Sequence, residues 1–104
     1  MASRLNRPLL SEATVNTTGE ALWWSSPGPG SIHVYGTWDG ATVTIQGSTD
    51  EGATWTDVPS GVFTEDTLLG FDSGHAHVRA VLSNAGNTSL TATLASQGKY
   101  REYL

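Results

Sequence analysis

The stretch from Ala41 to Val58, ATVTIQGSTDEGATWTDV, constrains the fold of this chain more than any other. Thr42-Val43-Thr44-Ile45-Gln46 alternates polar and apolar side chains, the period-2 pattern of a strand with one face in a core and the other in water. Trp55-Thr56-Asp57-Val58 reads as the returning strand. Between them, Ser48 to Trp55 has the form Ser-x-Asp-x-Gly-x-Thr-Trp, and each fixed position has a local use. Asp50 can accept hydrogen bonds from the N–H groups of its own turn, and Gly52 takes positive φ at no steric cost. Ser48 and Thr54 offer hydroxyls that tie the two arms together, and Trp55 anchors the second arm through its apolar area. The pattern predicts a β-hairpin whose turn is structural.

The rest of the chain reads as further short strands between turns. Residues 1–11 form an expected N-terminal arm, because Arg4-Leu5-Asn6-Arg7-Pro8-Leu9-Leu10 mixes basic and apolar residues and Pro8 disfavours a helix. Glu12 to Thr17 reads as a first strand ended by Thr18-Gly19, and Glu20 to Trp24 as a second. Ser25-Ser26-Pro27-Gly28-Pro29-Gly30 is a loop. Ser31 to Thr37 is a third strand with Ile32 and Val34 on one face and His33 and Tyr35 on the other. Asp39-Gly40 then favours a type I′ hairpin turn, so residues 31–58 are predicted to form a three-stranded meander.

Pro59-Ser60-Gly61 is expected to end that meander, and Val62 to Thr64 and Thr67 to Leu69 read as short apolar pieces around Glu65-Asp66. After the loop Gly70 to Gly74, His75 to Leu82 is a strand with Ala76, Val78, Ala80 and Leu82 toward the core. Ser83 to Asn87 turns the chain, and Thr88 to Leu94 returns with Leu90, Ala92 and Leu94 inward. Seven or eight short strands without helical periodicity predict an all-β fold: one antiparallel β-sandwich over residues 12–95, with immunoglobulin-like or jelly-roll connections. Residues 96–104 form an expected C-terminal tail.

Composition narrows the function. A chain of 104 residues is long enough for one core and no more. No apolar run approaches the about 20 residues that span a bilayer, so no membrane partner is expected. Met1-Ala2-Ser3-Arg4-Leu5 does not open the apolar stretch of a secretory signal, and cysteine is absent. Synthesis in the cytoplasm is the expectation. The net charge of −5 is uneven: Arg4 and Arg7 make the beginning basic, Lys99 and Arg101 do so near the end, and Arg79 is the one base between them. An acidic body of this kind argues against nucleic acid as a partner. Basic ends on it suit an acidic neighbour such as another copy of the chain, although loose solvated termini have the same composition.

Little catalytic chemistry is written in the residues. His75 and His77 lie two apart on one strand face and can offer two metal ligands, with His33 or Asp72 as a third, but surface histidines beside a turn have the same spacing. Asp50-Glu51 and Glu65-Asp66 lack the order of a calcium loop and read as solvated turns. No nucleophile elbow and no phosphate-cradling glycine loop is present, so no catalytic, cofactor or metal residue is assigned, and no enzyme is expected. Four tryptophans are a heavy load for this length. Adjacent Trp23 and Trp24 point to opposite faces of a strand, which suits core packing, a subunit interface or, less directly, stacking on a sugar.

Two resemblances follow from these residues. The Ser48–Trp55 pattern resembles the Asp-box, a hairpin turn known from sialidases and other all-β proteins. A sialidase-type enzyme ranks last among the readings, given a single such turn, the lack of an internal repeat and a body with Arg79 as its one arginine. Gly36 to Gln46, the Ser-x-Asp-x-Gly-x-Thr-Trp turn, and Val78 to Ser83 followed by Ser89 to Leu94 together resemble a group of small tailed-bacteriophage virion proteins, over roughly residues 31–94. That resemblance implies a non-enzymatic particle component: a capsid decoration (cement) protein first, or a head–tail connector, tail or fibre component. It implies the major capsid protein or other virion subunits as partners, homo-oligomers with a trimer as the first expectation, and location in the virion after synthesis in the host cytoplasm. The expected interface residues are Arg4, Arg7, Leu9, Trp23, Trp24, Tyr35, Tyr100, Arg101 and Tyr103, and the structural turns are Asp39-Gly40 and Ser48, Asp50, Gly52, Thr54 and Trp55. A carbohydrate-binding module using exposed tryptophans is the alternative of a different class.

Overall fold

The structure is a computed structural model and describes residues 5–24, 30–71 and 76–96; the side chains of residues 5, 6, 23, 24, 71, 76 and 96 lie outside the description. Among the described residues there are nine strands and no helix. They are β1 (Leu5–Ala13), β2 (Thr17–Thr18), β3 (Leu22–Trp24), β4 (Gly30–Thr37), β5 (Thr42–Ser48), β6 (Thr56–Phe63), β7 (Thr67–Phe71), β8 (Ala76–Ser83) and β9 (Ser89–Ser96). Sheet I has the order β1-β9-β4-β7. Sheet II has the order β2-β8-β5-β6, with β3 also on β8. All pairings are antiparallel. β2 and β3 lie along one side of β8, and the Gly19 N–H bonds the Ala80 carbonyl between them at 2.9 Å, so they form one interrupted edge strand.

The predicted alternation sets the core. Ile32 and Val34 of β4, Val43 and Ile45 of β5, Val78, Ala80 and Leu82 of β8, and Leu90, Ala92 and Leu94 of β9 are all buried between the sheets. Apart from Val81, the residues that flank them and face outward are polar or small, which is what a two-layer sandwich requires of its central strands. The all-β sandwich expected from the sequence is the fold observed.

Three local expectations are corrected. The meander over 31–58 does not form: β4 pairs with β9 and β7 in sheet I, while β5 pairs with β8 and β6 in sheet II. Asp39 (φ 47) and Gly40 (φ 83) do take the positive φ values of a type I′ turn, closed by Ala41 N–H to the Trp38 carbonyl at 2.9 Å. The turn is a corner between sheets. It is held there by the Asp39 carboxylate, which accepts from Asn87 N–H at 2.7 Å, and by the Thr88 hydroxyl donating to the Trp38 carbonyl at 2.9 Å.

The second correction concerns Pro59-Ser60-Gly61, which lies inside β6. Asp57 faces Gln46 and Val62 faces Thr44, so Val58 to Gly61 bulge opposite the single residue Ile45. Proline is accommodated because β6 is an edge strand.

The third is the N-terminal arm. From Leu5 onward it is strand β1, paired with β9 from Leu5↔Ser96 to Ala13↔Leu90. Pro8 faces Thr93 and Leu10 faces Ala92, so Leu9 is an extra residue, and the break in alternation buries both neighbours, at 2% and 4% exposure. Leu9 is therefore a core residue of the sandwich. Its carbonyl approaches the crossing chain so closely that a Cβ on Gly19 would stand 1.9 Å from it. The C-terminal tail lies outside the described residues.

Candidate functional site

The Ser48–Trp55 turn closes on itself. Ser48, 4% exposed at the end of β5, donates its hydroxyl to Asp50 Oδ1 at 2.6 Å and accepts from the Gly52 N–H at 2.9 Å. The Thr54 N–H donates to Asp50 Oδ1 at 2.9 Å, and the Thr54 hydroxyl to Oδ2 at 2.5 Å. Trp55 Nε1 donates to the Gly52 carbonyl at 3.0 Å. The Ser48 hydroxyl, the Thr54 hydroxyl and the Thr54 N–H together hold the Asp50 carboxyl well below the usual carboxylate range. Each of these donors belongs to the turn, so Asp50 serves its own backbone rather than a ligand. Glu51 (φ 61) and Gly52 (φ 89) supply the tight reversal.

This turn feeds a polar network on the outer face of sheet II. The Arg79 guanidinium lies 4.1 Å from the Trp55 ring centroid, and Arg79 Nε donates to Gln46 Oε1 at 2.8 Å. Gln46 Nε2 donates to Asp57 Oδ1 at 2.9 Å. Arg79 is thus committed to tryptophan, glutamine and, through glutamine, a carboxylate. Asp66 has a similar internal duty: it accepts from Trp38 Nε1 at 2.7 Å and from Gly36 N–H at 3.1 Å. Neither acidic turn is arranged to take a cation. Among the described residues no group of three or more histidine and acidic side chains is placed to hold a metal ion. His75 and Asp72 lie outside the described residues.

Sheet I presents the opposite character. Its register aligns Pro8, Thr93, His33 and Leu68 in one row across four strands, and Ala95, Ser31 and Gly70 in the next. Thr91 faces Tyr35 in a third. None of these residues is Asp, Glu, Lys or Arg. Leu68 is 68% exposed and Tyr35 41% exposed, and the His33 and Tyr35 rings lie 4.6 Å apart. In an acidic chain these rows carry no aspartate, glutamate, lysine or arginine and hold an aromatic pair and an open leucine, with Glu12 of β1 at their margin beside Thr91. This face is the best candidate for contact with a neighbour.

Of the expected interface residues, Tyr35 lies on this face, and Arg7 is exposed on the edge strand β1. The backbones of Trp23 and Trp24 pair with His77 and Ala76, and their side chains lie outside the described residues. Arg4, Tyr100, Arg101 and Tyr103 also lie outside them. The residues that sequence reasoning missed are Leu68, His33, Thr91 and Thr93. Their signal was present, since no outward position of β4 or of Thr91 to Ala95 is Asp, Glu, Lys or Arg, whereas an exposed strand face in an acidic protein normally carries several. No protein family, no curated protein and no solved structure matches this chain.

Proposed function

We propose that this chain is a non-enzymatic structural protein of a tailed-bacteriophage particle, a capsid decoration protein that assembles with copies of itself and bridges subunits of the major capsid protein. The observation that carries the reading is the strand order. With β2 and β3 counted as one interrupted strand, two four-stranded sheets face each other, and every connection except the β5–β6 hairpin changes sheet. That winding supports a jelly-roll assignment, an architecture used by viral capsid and lectin domains. The rows of sheet I's outer face that hold no aspartate, glutamate, lysine or arginine give such a protein a surface that neighbours can cover without desolvating carboxylates, ammonium or guanidinium groups. Decoration acts through many modest contacts made together, so internal pressure has to break them as a set. Nothing in the reading needs catalysis: Asp50, Asp66 and Arg79 are engaged within the fold.

The test is quantitative mass spectrometry and electron microscopy of particles purified from the source of the chain. The decoration reading expects the protein in a fixed ratio to the shell protein, with density on the outer surface. A fixed ratio to tail proteins assigns it to the connector, tail or fibre instead, and absence from purified particles refutes a virion role. The lectin-like reading is favoured by the exposed Tyr35 beside His33 on a sheet face. It requires a saturable response on a glycan array that Tyr35→Ala abolishes.

A further inference from the structure

We propose that two copies of this chain join along β7, edge to edge and antiparallel, so that their two sheets I run on as one sheet across a two-fold axis at Leu69. The partner is a second copy, and the inference stands apart from the virion reading.

A sandwich of this order has four edges, and three are closed. β1 carries Pro8 and two breaks in register, with Glu12 at φ 48. β6 carries Pro59 and the bulge from Val58 to Gly61, with Ser60 at φ 64. The edge facing β8 is broken into the short pieces β2 and β3. Prolines, bulges and interruptions of this kind are how proteins keep sheet edges from pairing with other chains. β7 has none of them. It runs in unbroken register with β4 from Thr67↔Val34 to Phe71↔Gly30, and its sequence, TLLGF, holds no charge and no proline. Among the described residues no strand pairs with its outer side.

The occupant follows from the strand itself. Because successive side chains alternate faces, two β7 strands joined in one continuous sheet can shift only in steps that keep like faces together. Centring the axis on Leu69 pairs all five residues. Centring it on Leu68 sets Phe71 against Glu65 of the second copy, and centring it on Gly70 sets Thr67 beyond the end of the strand. In the register that pairs all five, each Leu68 lies directly opposite Gly70 of the other copy. Leu68 stands out from the surface, and a Cβ built on Gly70 meets nothing within 4 Å. A protruding side chain and a vacant place two residues apart on one strand are self-complementary under a two-fold and only under a two-fold. The pair also sets the outer faces of the two sheets I side by side. It makes a dimer the closed unit, in place of the trimer first expected.

The experiment is sedimentation equilibrium on the full chain from about 1 μM to about 1 mM. The expected result is a reversible monomer–dimer equilibrium. Leu68→Lys and Gly70→Lys should each weaken it at least about tenfold, since each change enters a two-fold contact twice. Both positions are exposed and Gly70 has open space, so melting of the dilute monomers should match the parent. Hydrogen exchange at 67–71 should slow with concentration in the parent and not in the variants. A chain that stays monomeric throughout overturns the proposal. So does a trimer, or a dimer whose constant neither lysine changes. A chain that dimerises through β7 but is absent from particles refutes the virion reading alone.

Discussion

Whether residues 5–11 are a free arm or a strand of the core decides which surfaces remain for neighbours, and Leu9→Ala separates the two. Leu9 is 2% exposed and belongs to the core cluster of the sandwich. Truncating a buried leucine costs about 2–5 kcal/mol, the spread reflecting how far the site collapses. Leu9 sits at a bulge in an edge strand, where relaxation is easier than in β5 or β8, so the lower half of that range applies, about 3 kcal/mol. Against a total stability of about 5–15 kcal/mol this is a large fraction, and it lowers Tm by about 12–24 °C. The control is Arg7→Ala, an exposed position two residues away on the same strand, expected within about 0.5 kcal/mol of the parent. Urea unfolding followed by tryptophan fluorescence reads both, with an unchanged slope showing that the unfolded state is the same. If Leu9→Ala unfolds at the parent's midpoint, or if deletion of residues 1–11 leaves the transition intact, β1 is not part of the fold and the arm reading returns.

Three further changes test other parts of the structure. Gly36 lies at φ +138 with the Ser89 carbonyl 2.1 Å from where a Cβ would stand, so Gly36→Ala should cost about 3 kcal/mol or more by urea titration; an unchanged midpoint would contradict the β4–β9 register. A double-mutant cycle on Arg79→Ala and Trp55→Ala should give a coupling of about 0.5–1 kcal/mol, and a coupling near zero would remove the guanidinium from the ring. Asp50 is a carboxyl whose pKa falls on folding, so its contribution is complete above the ordinary value of 3.8 and drains away as pH drops below it. The difference in urea midpoint between the parent and Asp50→Asn should accordingly stay level from about pH 5 to 8 and shrink below about pH 4; a gap that widens in acid would reverse the assigned shift.

Much of this fold was legible because its central strands obey one rule without exception. Ile32-His33-Val34-Tyr35, Thr42 to Gln46, Val78 to Leu82 and Leu90 to Leu94 each alternate, and each buries the residues that alternation assigns to the core. The Ser48–Trp55 turn was legible because all its bonds are local. What could not be read was pairing across the chain. Asp39-Gly40 specifies positive φ at two positions, and those φ values fit a hairpin or a corner equally well. The choice is made by bonds from Asn87 and Thr88, 48 and 50 residues away. β1 escaped because its bulge buries two neighbours in succession, Leu9 and Leu10, which no period-2 reading assigns to one side. The rows of sheet I that lack Asp, Glu, Lys and Arg were missed for a related reason: they are assembled from single residues of β1, β9, β4 and β7, far apart in sequence and adjacent only once the strand order is known.

That distribution of charge carries a consequence for assembly. Most of the described acidic groups of the body lie at corners and turns, with Asp39, Glu65 and Asp66 at one end of the sandwich and Asp50 and Glu51 at the other, while Glu20 lies between β2 and β3, and Glu12 and Asp57 lie on edge strands β1 and β6. Copies of an acidic chain repel one another through those regions at low salt, over about a Debye length of 10 Å near 0.1 M. The rows of Pro8, Thr93, His33 and Leu68 and of Ala95, Ser31 and Gly70, and β7 at their border, hold no aspartate or glutamate and escape that repulsion. Contact through basic termini reaching an acidic neighbour weakens as salt rises, whereas contact through a neutral edge holds or strengthens as repulsion between the bodies is screened. The sign of the salt dependence of self-association therefore distinguishes the two ways in which this chain can meet its own copies, and the geometry of β7 favours the second.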